Sequence, residues 1–220
     1  MPRQSRIIVP NVAHHVTQRG NYGIAVFLDE GDYLTYCSHI NHYSRKYNVK
    51  ILAYCLMTNH VHFIVIPPHE ESLARMFNTA HMRYSQHMNK KNKERGHLWQ
   101  GRFFSCIMDE DHIMRGVRYI ERNPVRAKMV RHAGKYRWSS AGAHMGKREA
   151  DINLYKGLTV VGEEEWSDYV RSSDDEMYNE MKIKTQKGLV IGSESFRVKM
   201  EKILGRTLVV RDKGRPRKDS

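Results

Sequence analysis

The amino-acid sequence predicts an α+β fold, with an antiparallel sheet and helices packed on one face of it. Three observations support this class. Short runs of β-branched and aromatic residues alternate with longer segments of helical periodicity. Two apolar runs, residues 49–55 and 60–66, are separated only by a short polar turn and therefore predict a β-hairpin. The length of 220 residues suits one sizeable domain with a small appendage.

The predicted elements follow one another as strand, helix, strand, strand, helix, strand and helix. The strands are residues 12–18, 49–55, 60–66 and 101–108, and the helices are residues 29–47, 70–88 and 109–123. Acidic residues open the first and third helices, which suits the helix dipole. Pro124 ends the third helix because proline disfavours helical geometry in the residue before it. This order resembles a ferredoxin-like arrangement.

The composition changes after Lys147. Acidic clusters at residues 163–165 and 174–176 and a periodic segment at 196–204 predict a small helical appendage over residues 148–210. Residues 211–220 are too polar to fold alone and predict a flexible basic tail. The chain is therefore divided into a main domain of residues 1–147, a helical C-terminal region and the tail.

The distribution of charge predicts a polyanionic partner. The net charge is +13, and residues 1–147 hold 22 Lys and Arg against 10 Asp and Glu, whereas the remainder holds 15 against 14. This concentration of positive charge indicates nucleic-acid binding by the main domain. No apolar run approaches the roughly 20 residues that span a bilayer, so we expect no membrane partner and a cytoplasmic protein.

His60 and His62 are the first candidates for chemistry. Side chains alternate along a strand, so the two imidazoles share one face while Val61 and Phe63 lie on the other. Neutral imidazole is the commonest protein ligand for divalent metal ions. Two histidines at this spacing are also found as ordinary half-buried strand residues, and the pair alone leaves both interpretations open.

Tyr119 and Asn123 lie four residues apart on the third predicted helix and so share one of its faces. If that face is turned towards His60 and His62, Asn123 completes a three-ligand metal site and Tyr119 stands beside it as a nucleophile. A tyrosine at this position equally suits the core. Tyr84 and Tyr54 are the alternative nucleophiles.

These motifs occur together with several others along the chain. They are His15-Val16-Thr17, Arg19-Gly20-Asn21, Leu56-Met57-Thr58-Asn59-His60-Val61-His62-Phe63, Trp99-Gln100-Gly101-Arg102, Tyr119-Ile120, Asn123-Pro124-Val125-Arg126-Ala127, Trp138-Ser139-Ser140 and the terminal Gly214-Arg215-Pro216-Arg217-Lys218. The combination resembles the REP-associated tyrosine transposases, members of the IS200-like group with an HUH motif and a single catalytic tyrosine. The resemblance covers residues 5–145 closely and the rest loosely.

The resemblance implies an HUH endonuclease fold and a metal-dependent endonuclease and strand transferase. Its substrate would be single-stranded DNA carrying hairpins of repetitive extragenic palindromes. His60 and His62 match the HUH ligands, Tyr119 the nucleophile that forms a 5′-phosphotyrosine, and Asn123 the third metal ligand, where related enzymes often have glutamine. The implied cofactor is one Mg²⁺ or Mn²⁺ ion, although two imidazoles and an amide also accept Zn²⁺ or Ni²⁺.

Positively charged side chains near the motifs and in the tail are the predicted DNA contacts: Arg19, Arg102, Arg118, Arg122, Arg126, Arg215, Arg217 and Lys218. The protein is expected to act as a monomer or as a homodimer. The resemblance also implies a bacterial protein that is associated with the nucleoid. The alternative function is that of a domesticated hairpin-binding regulator that no longer cuts DNA. A zinc hydrolase is disfavoured because no Asp or Glu neighbours the histidine pair as a general base.

Overall fold

The computed structural model describes residues 6–158, 162–172 and 175–209. Within these ranges five strands form one sheet. The strands are β1 (Ala13–Arg19), β2 (Lys50–Met57), β3 (His60–Ile66), β4 (Phe104–Met108) and β5 (Val190–Ile191). The strand order is β2-β3-β1-β4-β5, in which the first four strands pair antiparallel and β5 runs parallel to β4.

Helices fill most of the remaining described chain. They are α1 (Glu30–Lys46), α2 (Ser72–Asn92), α3 (Glu110–Glu121), α4 (Asn123–Arg126), α5 (Ala141–His144), α6 (Glu163–Arg171), α7 (Asp175–Lys187) and α8 (Glu194–Leu204). The main elements from β1 to α3 follow in the predicted order, which confirms the α+β class. No helix among the described residues is long and apolar enough to cross a membrane.

The prediction that helices cover only one face of the sheet is corrected by the structure. Helices α1 and α2 pack on one face, against Val61 and Phe63, whereas α3, α6 and α7 pack on the other, against Ala53 and Ile64. The reason lies in β2, where every residue from 51 to 57 is buried. A strand that is apolar on both faces requires cover on both.

Two predicted boundaries also move. Helix α3 ends at Glu121 rather than at Asn123, and Pro124 instead lies in the first turn of α4, where its missing N–H costs no hydrogen bond. Strand β4 begins at Phe104, three residues later than predicted, and Gly101, at the predicted start, has a φ of 147°, which is not strand geometry. Asn123 therefore follows the tyrosine helix directly and is not part of it.

The C-terminal region is helical, as predicted, and it also joins the sheet. The parallel pairing of β5 with β4 is extended by a hydrogen bond of 3.0 Å from the Asp109 backbone N–H to the Ile191 carbonyl. Helix α7 packs on β4 and on α3. The division of the chain at residue 147 remains a prediction, and the tail, residues 211–220, lies outside the described residues.

A buried histidine makes the core under α1 and α2 sensitive to pH. The ring of His81 stacks on that of Tyr36, and its Nε2 shares a hydrogen bond of 2.9 Å with the Tyr36 hydroxyl. Burial lowers the pKa of His81 from 6.5 to about 3. Between those values the unfolded chain binds a proton here that the folded chain does not. The free energy of unfolding therefore falls as the pH falls below about 6.5, by up to about 1.4 kcal/mol per pH unit for this residue.

We expect the His81→Gln variant to lose free energy of unfolding less steeply than the wild type between about pH 6.5 and about pH 4.5. Urea denaturation at several pH values measures both slopes. His69 is exposed, so His69→Gln serves as the control and should keep the wild-type slope. Equal slopes for the wild type and His81→Gln would show that His81 is not held neutral in the folded protein.

Candidate active site

Strands β1 and β3 place three histidines side by side on the sheet face beneath α3. In the antiparallel register Arg19 lies opposite His60 and Thr17 opposite His62. The ring centroids of His60 and His62 are 4.9 Å apart, and the His15 ring stacks on His62 at 5.1 Å. The alternation of side chains along β3 thus produces the predicted pairing of His60 with His62, and β1 adds a third imidazole.

The hydrogen bonds of His60 and His62 engage Nδ1 of each ring and leave Nε2 available to bind a ligand. Asn59 donates from Nδ2 to the Gly23 carbonyl at 3.1 Å, which turns its Oδ1 towards His60 Nδ1 at 2.6 Å. His62 Nδ1 lies 2.9 Å from Nε2 of His15. With both Nδ1 atoms engaged, the Nε2 atoms of His60 and His62 are the ones left to bind a ligand.

Burial favours the uncharged form of these imidazoles. It lowers the pKa of His60 to about 4, and the positive charge of Arg19 contributes in the same direction. Burial, followed by the proximity of His60 and His15, lowers the pKa of His62 well below its usual value. Neutral imidazoles carry the free lone pair that metal coordination requires.

Helix α3 carries Tyr119 over the histidines. The Asp109 carboxylate begins this helix by accepting a hydrogen bond of 3.0 Å from the His112 backbone N–H. Gly116 allows a close approach to the sheet, because a Cβ there would lie 2.3 Å from Met108 Cε. The Tyr119 ring stands edge-on to His15 and His62, with centroid distances of 5.8 and 5.9 Å.

A buried carboxylate fixes the end of the tyrosine helix. Glu121, fully buried, accepts hydrogen bonds from Ser140 Oγ at 2.5 Å, His144 Nδ1 at 2.7 Å and Trp166 Nε1 at 3.0 Å. The three donors come from the segment before α5, from α5 and from α6. Such a fully paired buried network favours one position of α3, and so one position of Tyr119 two residues earlier.

The Tyr119 phenol is held in its protonated form. Burial raises its pKa above the usual value, and the neighbouring Tyr178 acts in the same direction, while the Arg126 guanidinium opposes the shift. The Tyr178 ring lies 5.6 Å from Tyr119, and the Arg126 guanidinium lies 3.7 Å above the Tyr178 ring. Nucleophilic attack by Tyr119 would therefore require loss of its proton during the reaction.

Asn123 lines the same cleft as Tyr119 and the histidines. Its side chain is 8% exposed, and its amide Nδ2 is buried with no hydrogen-bond partner among the described residues. A buried amide with an unsatisfied end is unusual unless a ligand completes it. The helical turn of α4, which Pro124 opens, holds Asn123 at this place.

The cleft has a volume of about 800 Å³ and a positive lining. Arg19, Arg102 and Lys182 supply its charge, and none of the described residues that line it is Asp or Glu. Helix α7 closes one side with five side chains: Tyr178, Met181, Lys182, Thr185 and Gln186. This wall of α7 residues is absent from the sequence prediction.

The predicted DNA contacts separate into three groups in the structure. Arg19 and Arg102 line the cleft, and Arg126 lies beside it on Tyr178. Arg118 instead stacks on Tyr169 at 4.2 Å, and Arg122 donates to the Val170 carbonyl at 2.5 Å, so both contact α6. The three tail residues, Arg215, Arg217 and Lys218, lie outside the described residues.

The alternative nucleophiles lie elsewhere. Tyr54 and Tyr84 belong to the core on the opposite face of the sheet. Tyr84 donates to the Val26 carbonyl at 2.6 Å, and the Tyr54 hydroxyl accepts from the Asp151 backbone N–H at 3.2 Å. Tyr178 is the second tyrosine of the cleft, and no sequence motif indicated it.

Comparison with known proteins gave one family model and several solved structures. Residues 8–123 match the family model described as IS200-like transposase. The structure of a REP-associated tyrosine transposase bound to a REP hairpin aligns with a TM-score of 0.58 and 16% identity, covering 74% of this chain and 100% of that chain. A protein of Deinococcus radiodurans R1 described as a transposase aligns with a TM-score of 0.37 and 19% identity, over 55% of this chain and 96% of that chain. No curated protein matched.

The match from residue 8 to residue 123 covers more than half of the chain. It contains β1, the hairpin of β2 and β3 with its two histidines, and helix α3 with Tyr119. The resemblance identified from the sequence motifs is thereby confirmed, and the chain belongs to the IS200-like transposase family.

Proposed function

We propose that this protein is a metal-dependent endonuclease and strand transferase that acts on REP-type hairpin DNA through a 5′-phosphotyrosine. The observation that carries the proposal is the position of the Tyr119 ring, 5.9 Å from His62 in a cleft that also contains His60 and Asn123. Family membership supports a role in DNA transposition. The hairpin substrate is supported by the complex of the REP-associated transposase that shares this fold.

The residues present fit one divalent cation. His60 and His62 would bind it through Nε2, because the Nδ1 atoms are engaged. The unpaired end of the Asn123 amide is Nδ2, and a rotation of that amide by about 180° would present Oδ1 there as the third ligand. No three His, Cys, Asp or Glu side chains within the described ranges are grouped to hold an ion, so the proposed set depends on the amide. We propose Mg²⁺ or Mn²⁺, whose chemistry here is to withdraw charge from the scissile phosphate.

Tyr119 would perform the covalent step. Its Oη attacks the phosphorus, a Tyr–O–P bond forms and the bond from phosphorus to the 3′-oxygen breaks. The phenol proton is given up and the departing 3′-oxygen gains one, so the products are a 5′-phosphotyrosine and a free 3′-hydroxyl. Reversal by another 3′-hydroxyl joins strands, because the phosphodiester energy is retained in the protein linkage.

Positive side chains would hold the DNA in register. Arg19 and Arg102 in the cleft can stabilise the negative charge that develops on the phosphate. Arg126 favours ionisation of Tyr119 through its charge. Tyr119, both histidines and Asn123 all come from one chain, so we propose that a monomer holds a complete site.

The test is a denaturing gel of a labelled single strand with a 5′ extension and a REP-type hairpin, incubated with the protein and Mn²⁺. We expect a cleaved strand and a covalent protein–DNA adduct, both lost with EDTA. Hairpin binding in a native gel without any cleavage would favour the alternative, a domesticated regulator. Hydrolysis without an adduct would contradict a tyrosine nucleophile.

The basic tail gives a separate prediction. The sequence Gly214-Arg215-Pro216-Arg217-Lys218 contains a Gly-Arg-Pro core, in which proline favours an extended chain and the arginines suit a narrow minor groove. Deletion of residues 211–220 is expected to weaken hairpin binding several-fold, while single-turnover cleavage at saturating protein stays near the wild-type rate. If the truncated and full-length proteins bound the hairpin with equal affinity, the tail would have no role in binding. If truncation strongly lowered the cleavage rate at saturating protein, the tail would act in the active site.

A further inference from the structure

A chain of hydrogen bonds connects His62 with helix α7 of the C-terminal region. His62 Nδ1 lies 2.9 Å from His15 Nε2, and His15 Nδ1 lies 2.7 Å from Thr185 Oγ1. Thr185 Oγ1 in turn lies 3.1 Å from Cys106 Sγ. The chain therefore joins β3, β1, α7 and β4 directly behind the proposed metal ligand.

Only one direction of this chain leaves His62 ready to bind a cation through Nε2. A neutral imidazole has one N–H, so His62 must carry it on Nδ1 and donate it to His15 Nε2. His15 then donates from Nδ1 to Thr185 Oγ1, and the Thr185 hydroxyl is free to donate to Cys106 Sγ. In the opposite direction His15 would donate to His62, and the proton of His62 would occupy Nε2.

Water cannot replace the members of this chain. His15 and Thr185 are each 1% exposed, and the rings of His15 and His62 are nearly parallel, with 10° between their planes. If either side chain lost its polar atoms, a buried donor would have no partner. The hydrogen bond between His15 and Thr185 also joins residues that are 170 positions apart in the sequence.

We propose that His15 and Thr185 are positioning residues that hold His62 in its Nδ1–H tautomer and so prepare Nε2 for the metal. This inference rests on the proposed metal site and deepens it. It also makes α7, which lies outside the matched residues 8–123, a working part of the metal centre. Metal-bound histidines are commonly held through the second ring nitrogen in this way, and loss of such a partner weakens metal binding about 10- to 100-fold.

Two pairs of variants test the proposal in the full-length protein. Thr185→Val removes the hydroxyl at nearly constant volume, and Thr185→Ser restores it. His15→Leu removes the acceptor, and His15→Gln places an amide oxygen near the position of Nε2. Electron paramagnetic resonance of Mn²⁺ without DNA measures affinity, and long-range ¹H–¹⁵N spectra of the metal-free protein read the tautomer of His62.

We expect the Nδ1–H tautomer in the wild type and Mn²⁺ binding at least about 10-fold weaker in His15→Leu. Thr185→Val should weaken binding in the same direction, and Thr185→Ser and His15→Gln should recover most of it. If His15→Leu does not fold, the Mn²⁺ affinities of Thr185→Val and Thr185→Ser test the proposal instead.

Distinct outcomes would overturn the inference and the proposed function. Mn²⁺ binding that His62→Ala abolishes but that His15→Leu and Thr185→Val leave unchanged would overturn the inference alone. An Nε2–H tautomer of His62 in the wild type would also overturn the inference alone. A wild-type protein that binds no Mn²⁺ would overturn the metal site and, with it, the role of His15 and Thr185.

Discussion

Replacement of Tyr119 by phenylalanine is expected to abolish both strand cleavage and the covalent protein–DNA adduct. The change removes only the hydroxyl, which is the proposed nucleophile, and keeps the ring that stands edge-on to His15 and His62. Activity should fall by at least about 10³-fold, because the hydroxyl that is removed is the proposed attacking group. No charge is lost, so hairpin affinity should stay within a few-fold of the wild type. A denaturing gel and a binding titration measure the two quantities.

Tyr178→Phe is the matched control for this experiment. Tyr178 lines the same cleft, with its ring 5.6 Å from that of Tyr119, and it carries the only other tyrosine hydroxyl among the described lining residues. The control should still form the adduct, although its rate can change because Tyr178 influences the pKa of Tyr119. An adduct that persists in Tyr119→Phe and disappears in Tyr178→Phe would reassign the nucleophile to Tyr178 of α7.

Replacement of His60 or His62 by alanine is expected to remove metal-dependent cleavage and to leave hairpin affinity within a few-fold. Each change deletes one imidazole ligand from a site that offers only two, so Mn²⁺ affinity should fall by about 100-fold or more. Binding of the DNA depends mainly on phosphate contacts by the positive main domain, and neutral histidines add no charge to them. Mn²⁺ titration and single-turnover cleavage measure the first effect, and a native gel measures the second.

His69→Ala is the control for a histidine-to-alanine change away from the site, because His69 is exposed and lies outside the cleft. It should behave as the wild type in all three assays. If His60→Ala and His62→Ala cleaved DNA at the wild-type rate at low Mn²⁺, the proposed metal site would be wrong, and Tyr119 would remain a candidate nucleophile. A large loss of hairpin affinity would instead mean that the histidines contact DNA or support the fold.

Much of the site follows from local periodicity. The alternation of a strand is a property of neighbouring residues, so the sequence places His60 and His62 on one face and Val61 on the other without further information. The four-residue separation also predicted that Tyr119 and Asn123 lie together, but the structure brings them to one cleft from two successive helices, α3 and α4. The acidic start of α3 and the break before Pro124 also arise from nearby side chains.

Other features could not be predicted because they depend on contacts between distant parts of the chain. The apolar run of β2 is compatible with a buried strand, but only its packing shows that α3 covers one of its faces and α1 the other. Arg118 and Arg122 are predicted DNA contacts by their position beside the motif. The structure instead turns both towards α6, whose place on α3 no local pattern indicates.

The sequence by itself determined the α+β class, the pairing of the β3 histidines, the candidate tyrosine and the family to which the chain belongs. Tertiary structure alone decided that His15 stands behind His62, that Glu121 anchors the helix of Tyr119, and that Thr185 and Tyr178 of α7 complete the cleft. The physical reason is the distance along the chain over which each feature is determined. Side-chain direction within an element is set by backbone geometry over a few residues, whereas the partner of a buried polar group is set by the packing of the whole chain.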